Sequence, residues 1–121
     1  MGGLLGIVIV TVVTRLEDFE LETISPQKYQ RTSPISKWLK SGMEIIIGSD
    51  PANYVFIKWT DEAVLAKHCT LSYSSGQVYI EPLGEVLINT RPINAKTQLK
   101  DGDIIQLGSR SVTKMKFVAK K

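Results

Sequence analysis

The chain has 121 residues, 43% apolar and 22% charged, which fits one globular domain with a modest core and excludes a low-complexity chain. Its single cysteine, Cys69, excludes an internal disulfide and a cysteine-based metal cluster, and is compatible with a reducing compartment. The net charge of +3 is mild and uneven: residues 1–24 hold one base against four acids, and the remainder holds 14 bases against 8 acids, a bias that alone does not indicate nucleic-acid binding.

Residues 2–13, GGLLGIVIVTVV, carry no charge. They fall short of the roughly 20 residues of a membrane span. They also lack the basic start and small-residue cleavage site of a signal peptide. Gly6 stands where a myristoylation signal needs Ser or Thr. Two readings stay open. The β-branched run IVIVTVV suits a buried strand. Alternatively the segment is a short membrane anchor, with the bases Arg15, Lys28 and Arg31 placing the rest on the cytoplasmic side. The anchor is preferred, because an N-terminal strand is expected to alternate and this run is apolar on both faces. A soluble cytoplasmic protein is the alternative.

FELETI (19–24) alternates like a half-exposed strand, and SPQKYQRTSP (25–34) reads as a loop. ISKWLKSG (35–42) fits a short strand or a single turn, ended by Gly42. MEIIIGSD (43–50) is a strand that stops at Gly48, and DPANYVFIKW (50–59) is a loop running into a short strand. TDEAVLAKH (60–68) fits one helical turn or a loop packed on the core. In CTLSYSSGQVYIEPL (69–83), Leu71 and Tyr73 share a face, Val78 and Ile80 continue the alternation, and SSG between them is hairpin chemistry. EVLINTRPI (85–93) gives a strand, a turn and an apolar anchor at Ile93. LKDGDIIQLG (99–108) gives an Asp-Gly turn and a strand, and VTKMKFVAK (112–120) alternates again. Roughly eight to ten short strands without a long helix predict an all-β sandwich or barrel.

No pattern supports catalysis. His68 and Cys69 are neighbours whose side chains point to opposite faces of a strand, so they make no nucleophile–base pair. No zinc-protease, P-loop or dinucleotide motif occurs. Asp101 and Asp103 read as turn residues rather than calcium ligands. No cofactor, metal or catalytic residue is expected. Trp38 and Trp59 read as packing residues; an exposed one would mark a partner surface.

From about residue 19 to residue 118 the order of motifs resembles the forkhead-associated (FHA) family. MEIIIGS resembles the family's strand ending in Ile-Gly-Arg. AKHCTL resembles its Ser-Arg-x-His-Ala-x-Ile stretch, with His68 on the histidine. VYIEPL resembles the strand leading into Asp-Leu. VLINTRPI resembles Thr-Phe-Val-Asn-Gly-x-x-Ile, with Asn89 on the asparagine and Ile93 on the last apolar position. LKDGDIIQLG matches Leu-x-x-Gly-Asp-x-Ile-x-Ile-Gly and is the most specific piece. The resemblance implies a β-sandwich of two antiparallel sheets over residues 17–121, preceded by the apolar segment 1–16. It implies working loops at one end, where many members read phosphothreonine.

The phosphate-reading positions depart from the family. Ser49 stands on the arginine and Leu65 on the serine. The Asn-Gly-Thr loop is cut short to LGEV, so the asparagine position falls near Gly84, with Glu85 following it and Asp50 adding a further acid. A phosphate carries nearly two negative charges and needs charge-assisted donors, so these changes remove donors and add like charge. The expectation is a non-catalytic interaction or assembly module that does not use the usual phosphothreonine site. His68 would then brace the loops. The alternative is a phosphopeptide reader with a rearranged basic site drawing on Ser49, Lys67, Arg91 and loop N–H groups. The candidate loop-end residues are Ser49, Lys67, His68, Asn89 and Arg91. A protein partner, phosphorylated or not, is expected, and self-association and membrane attachment through residues 2–13 stay open. Nucleic acid is disfavoured, because the few aromatics sit at expected core positions.

Overall fold

The computed structural model describes residues 15–120. Residues 2–13, read above as an anchor or a buried strand, lie outside the described residues. Among the described residues, eleven strands form two sheets. In chain order they are β1 (Asp18–Ser25), β2 (Arg31–Pro34), β3 (Ile45–Gly48), β4 (Val55–Phe56), β5 (Cys69–Ser74), β6 (Gln77–Pro82), β7 (Val86–Ile88), β8 (Arg91–Ile93), β9 (Thr97–Leu99), β10 (Ile104–Gln106) and β11 (Lys114–Lys120). One sheet has the order β2-β1-β11-β10-β7-β8, the other β4-β3-β5-β6-β9. The sandwich expected from the sequence is present.

Alternation decides which face goes inward. Phe19, Leu21 and Thr23 of β1 are buried, while the acids between them face out. Antiparallel pairing sets Glu22 opposite Lys116 and Asp18 opposite Lys120, so the outward face of this pair matches acid to base. In the second sheet Leu71 pairs with Ile80 and Tyr73 with Val78. The core between the sheets includes Phe19, Leu21, Ile45, Ile47, Leu71, Ile80, Ile105 and Phe117, each at most 2% exposed. Leu16 is also buried, and its N–H donates to the Gly76 carbonyl at 2.9 Å.

Two details depart from the sequence reading. One pairing is not antiparallel: β4 runs parallel to β3, with Ile47 opposite Val55 and Gly48 opposite Phe56. The turn at Asp50 and Asn53 carries the chain across, so it re-enters in the same direction for two residues. Residues 25–34, read as a loop, contain the strand β2 over Arg31–Pro34, which pairs with β1. Residues 35–42 hold a short helix, α1 (Ser36–Lys40), the single turn that was one of the two readings left open. Ile35 and Leu39, four apart, are both buried, a helical spacing rather than a strand's. Gly42 ends the helix at φ +97°, where a side chain would be strained. Residues 60–68 form a loop, one of the two readings left open for them.

Candidate interaction site at the loop end

The β5–β6 hairpin turns at Ser75 and Gly76, both at positive φ, and marks one end of the sandwich. The opposite end gathers the loops that leave β3, β6 and β10 and the loop that enters β5. We refer to it as the loop end.

Four backbone hydrogen bonds tie the β3 exit to the loop before β5. The N–H groups of Ser49 and Asp50 donate to the carbonyls of Leu65 and Ala66 at 3.0 and 3.2 Å. The N–H of His68 donates to Ile47 at 2.8 Å, and that of Ile57 to Gly48 at 2.8 Å. Gly48 permits this closeness, since a Cβ there would overlap the Ala66 carbonyl. The Asn53 side chain donates to the same carbonyl at 2.6 Å.

His68 is 1% exposed and bridges three segments. Its Nδ1 accepts the Leu65 N–H at 3.1 Å, so the ring proton sits on Nε2, which donates to the Glu85 carbonyl at 2.6 Å. Its own carbonyl accepts the N–H groups of Leu83 and Gly84, both at 2.9 Å. Both ring nitrogens are therefore engaged by backbone, which is the geometry of a brace.

Leu65 and Leu83 are 49% and 56% exposed. A Cβ on Gly84 would lie 2.8 Å from Leu65 Cδ1 and 3.0 Å from His68 Cε1. The Leu65 side chain thus occupies the space into which a side chain at position 84 would grow. The Glu85 carboxylate accepts the N–H and hydroxyl of Ser109 at 2.9 and 3.1 Å. Those bonds, helped by the charge of Arg110, hold it below the ordinary glutamate range.

A second network fastens the β4–β5 loop to the β10–β11 loop. Trp59 Nε1–H donates to Thr113 Oγ1 at 2.8 Å, and the Thr113 hydroxyl donates to Asp61 at 2.7 Å. Asp61 also accepts the Ser111 hydroxyl at 2.7 Å and the N–H groups of Ala63 and Val112 at 3.2 Å. Burial raises the Asp61 carboxyl, but these donors together leave it below its ordinary value. Beside it, Thr60, Asp61, Glu62, Ala63, Arg110 and Val112 line an open cleft of about 490 Å³. The sequence reading missed this network. Ser111 and Thr113 lie 50 and 52 residues from Asp61, and no local pattern links positions so distant.

Of the five candidate residues, Ser49, Lys67 and His68 come together at the loop end. Asn89 and Arg91 do not. Asn89 sits at φ +52° in the turn between β7 and β8, where its side chain donates to Asp103 at 2.9 Å and accepts the Ile104 N–H at 2.9 Å. Arg91 pairs with Ile88 across that turn, at the opposite end of β7 from Glu85. No group of three or more potential metal ligands occurs among the described residues. Cys69 is fully buried, and burial pushes its thiol up to about 12. Trp59 is buried, whereas Trp38 is 37% exposed. No helix among the described residues is long and apolar enough to cross a membrane.

The sequence matches the family model of the FHA domain over residues 45–108. Among solved structures, it is similar to the FHA domain of the CT664 protein from Chlamydia trachomatis, at 20% identity over 86% of this chain and 99% of that one, with a TM-score of 0.69. It is similar to the FHA domain of an Arabidopsis thaliana hypothetical protein at 21% identity, over 92% of this chain and 94% of that one, with a TM-score of 0.68. The yeast Dun1 FHA domain, solved with a doubly phosphorylated peptide derived from Rad53, aligns at 14% identity over 89% of this chain and 78% of that one, with a TM-score of 0.64. A comparison with curated proteins gave no match. Identities this low carry the fold alone, but the family model spans more than half of the chain, from β3 to the turn after β10, and the chain belongs to the FHA family.

Proposed function

We propose that this FHA domain is a non-catalytic protein-interaction module whose loop end docks a partner without reading phosphate. The observation that carries this reading is the pairing of Leu65 with Gly84. An aliphatic side chain lies where the family places a serine donor, and it fills the space an asparagine at position 84 would need. Two further features support it. The N–H groups of Ser49, Asp50, Leu65, Leu83 and Gly84 are all spent on internal acceptors. The Glu85 carboxylate adds negative charge beside them, and like charge repels a phosphate. The rearranged basic site loses support, because Arg91 and Asn89 lie away from Lys67.

The test is capture of matched phosphothreonine and unphosphorylated peptide libraries by the full chain. Equal recovery of both is the expected result. Selective recovery of the phosphorylated set, abolished by Lys67→Ala, would overturn the reading.

A further inference from the structure

Beyond the Leu65–Gly84 reading, and independent of it, we infer that the edge where the β1–β2 connection meets the exit of β4 docks an acidic, unphosphorylated segment of a protein partner. The surface is built around Tyr29. That residue closes the short 3-10 turn Gln27–Tyr29, and its ring stacks on the buried Trp59 with centroids 4.9 Å apart. Trp59 is fixed in turn by its hydrogen bond to Thr113. The ammonium groups of Lys28 and Lys58 lie over the same Tyr29 ring, 5.7 and 5.9 Å from its centre. Two cations from different loops are therefore gathered on one anchored ring, whose negative face attracts them. Arg31 and Lys114 adjoin them. Arg31 donates to the Phe56 carbonyl at 2.9 Å, two residues before Lys58, and Lys114 stands opposite Ser25, three residues before Lys28.

All four bases are exposed, and among the described residues none of them makes an ion pair. The acids at this end are engaged elsewhere. Asp61 is held by Ser111 and Thr113, Glu85 by Ser109, and Asp50 by the Ala52 N–H at 3.0 Å. Glu22 stands opposite Lys116 on β11, and Glu62 lies in the cleft with Arg110. Positive charge is left unanswered, and a negative partner complements it. The form of the patch selects among negative partners. A nucleic-acid strand needs open aromatic faces for its bases, but Tyr29 has Trp59 on one face and two ammonium groups over its ring. A bilayer needs apolar side chains to insert, and neither the turn nor β2 exposes a large one. A phosphate needs donors converging on one point, best an arginine fork. Here Arg31 is turned to Phe56, and the three lysines stand apart on a turn, a strand exit and a strand. Separate ammonium groups suit separate carboxylates. An extended segment projects every second side chain to one face, about 7 Å apart. Alternating glutamates or aspartates would meet Lys28 and Lys58 in turn, since both lie within 6 Å of one ring centre.

The experiment titrates the full chain, by fluorescence polarisation, into labelled peptides that alternate serine with glutamate, glutamine or lysine. A glutamine peptide carrying one phosphothreonine and a single-stranded oligonucleotide are titrated alongside. Binding to vesicles of phosphatidylcholine with phosphatidylserine is read by cosedimentation. The wild type is compared with Lys28→Gln/Lys58→Gln and with Lys96→Gln/Lys100→Gln, which removes the same charge beside β9, at the opposite edge of the sheet from β4. Thermal melts check that both variants fold. The expected result is selective binding of the glutamate peptide, at least about tenfold weaker in the first variant, little changed in the second, and lowered by salt. No preference for glutamate over glutamine, or equal loss in both variants, overturns the inference. Tighter binding of the phosphothreonine peptide, the oligonucleotide or the vesicles through Lys28 and Lys58 overturns it as well. Phosphothreonine selectivity that depends on Lys67 instead would overturn the phosphate-independent reading and leave this inference standing.

Discussion

Leu65 and Gly84 divide one small space between them, and the proposed phosphate-independent reading rests on that division. At the residue scale it gives a direct test. Gly84→Asn alone should destabilise the fold by about 1 kcal/mol, the low end of overpacking costs, because its Cβ would lie 3.0 Å from Cε1 of the buried His68, while Leu65 Cδ1, at 2.8 Å, ends a half-exposed side chain that can turn aside. Adding Leu65→Ser should recover part of that loss, a coupling that urea denaturation of the single and double variants measures. Adding Ser49→Arg then supplies each of the three donor types that the family resemblance implies at this end. The triple variant is expected to bind a phosphothreonine peptide in fluorescence polarisation where the wild type does not. If it fails to bind, the loop backbone rather than these three side chains sets the difference. The brace itself was legible in the sequence: His68 sits where the motif order placed it. The placement of Asn89 was legible only as a motif. Its side chain holds Asp103 and the Ile104 N–H at the far end, a role decided by the turn it occupies.

Between elements, the Asp61 network does what no strand pairing does. It joins the loop after β4 to the loop after β10, and so joins the edge of one sheet to the middle of the other. Its carboxyl lies below the ordinary value of 3.8 in the folded protein. Stability from this group is therefore fully present above that value and is lost as pH falls through the lower folded value. Asp61→Asn should lower the melting temperature at neutral pH. The gap between variant and wild type should narrow as pH falls below about 3.8. Thermal melts of both proteins from pH 2 to 7 measure it, and a gap that does not change with pH would mean that Asp61 acts through shape alone. Element types were mostly legible, because alternation shows in residues 19–24, 69–83 and 112–120. Residues 35–42 were left open because five helical residues hold too few periods to decide. The spacing of Ile35 and Leu39 gains meaning only once both are seen to be buried.

Across the whole molecule, the two sheets close over a single core that runs from Leu16 to Phe117. Cys69 sits at the start of β5 within that core, and burial pushes its thiol up to about 12. A thiol reagent reacts with the thiolate, so Cys69 should label only when the sandwich opens. Labelling in native buffer is expected to be at least about a hundredfold slower than in denaturant. Its rate should follow the global unfolding midpoint across a urea series. Fast labelling in native buffer would show that the end of the sandwich near His68 opens locally, and that the brace is looser than its hydrogen bonds indicate.

The sequence by itself determined the sandwich, the hairpin at Ser75 and Gly76, and the family. These rest on local alternation, on turn chemistry and on motif order, all of which are written along the chain. Only the tertiary structure decided which candidates share a site. Ser49, Lys67 and His68 meet because backbone bonds hold the β3 exit against the loop before β5. Arg91 does not join them because β7 runs away from the loop end before it turns. The sequence likewise could not reveal Leu65 over Gly84, or Asp61 with Ser111 and Thr113. Contacts between residues far apart in the chain depend on how the sheets stack, and no local period records that.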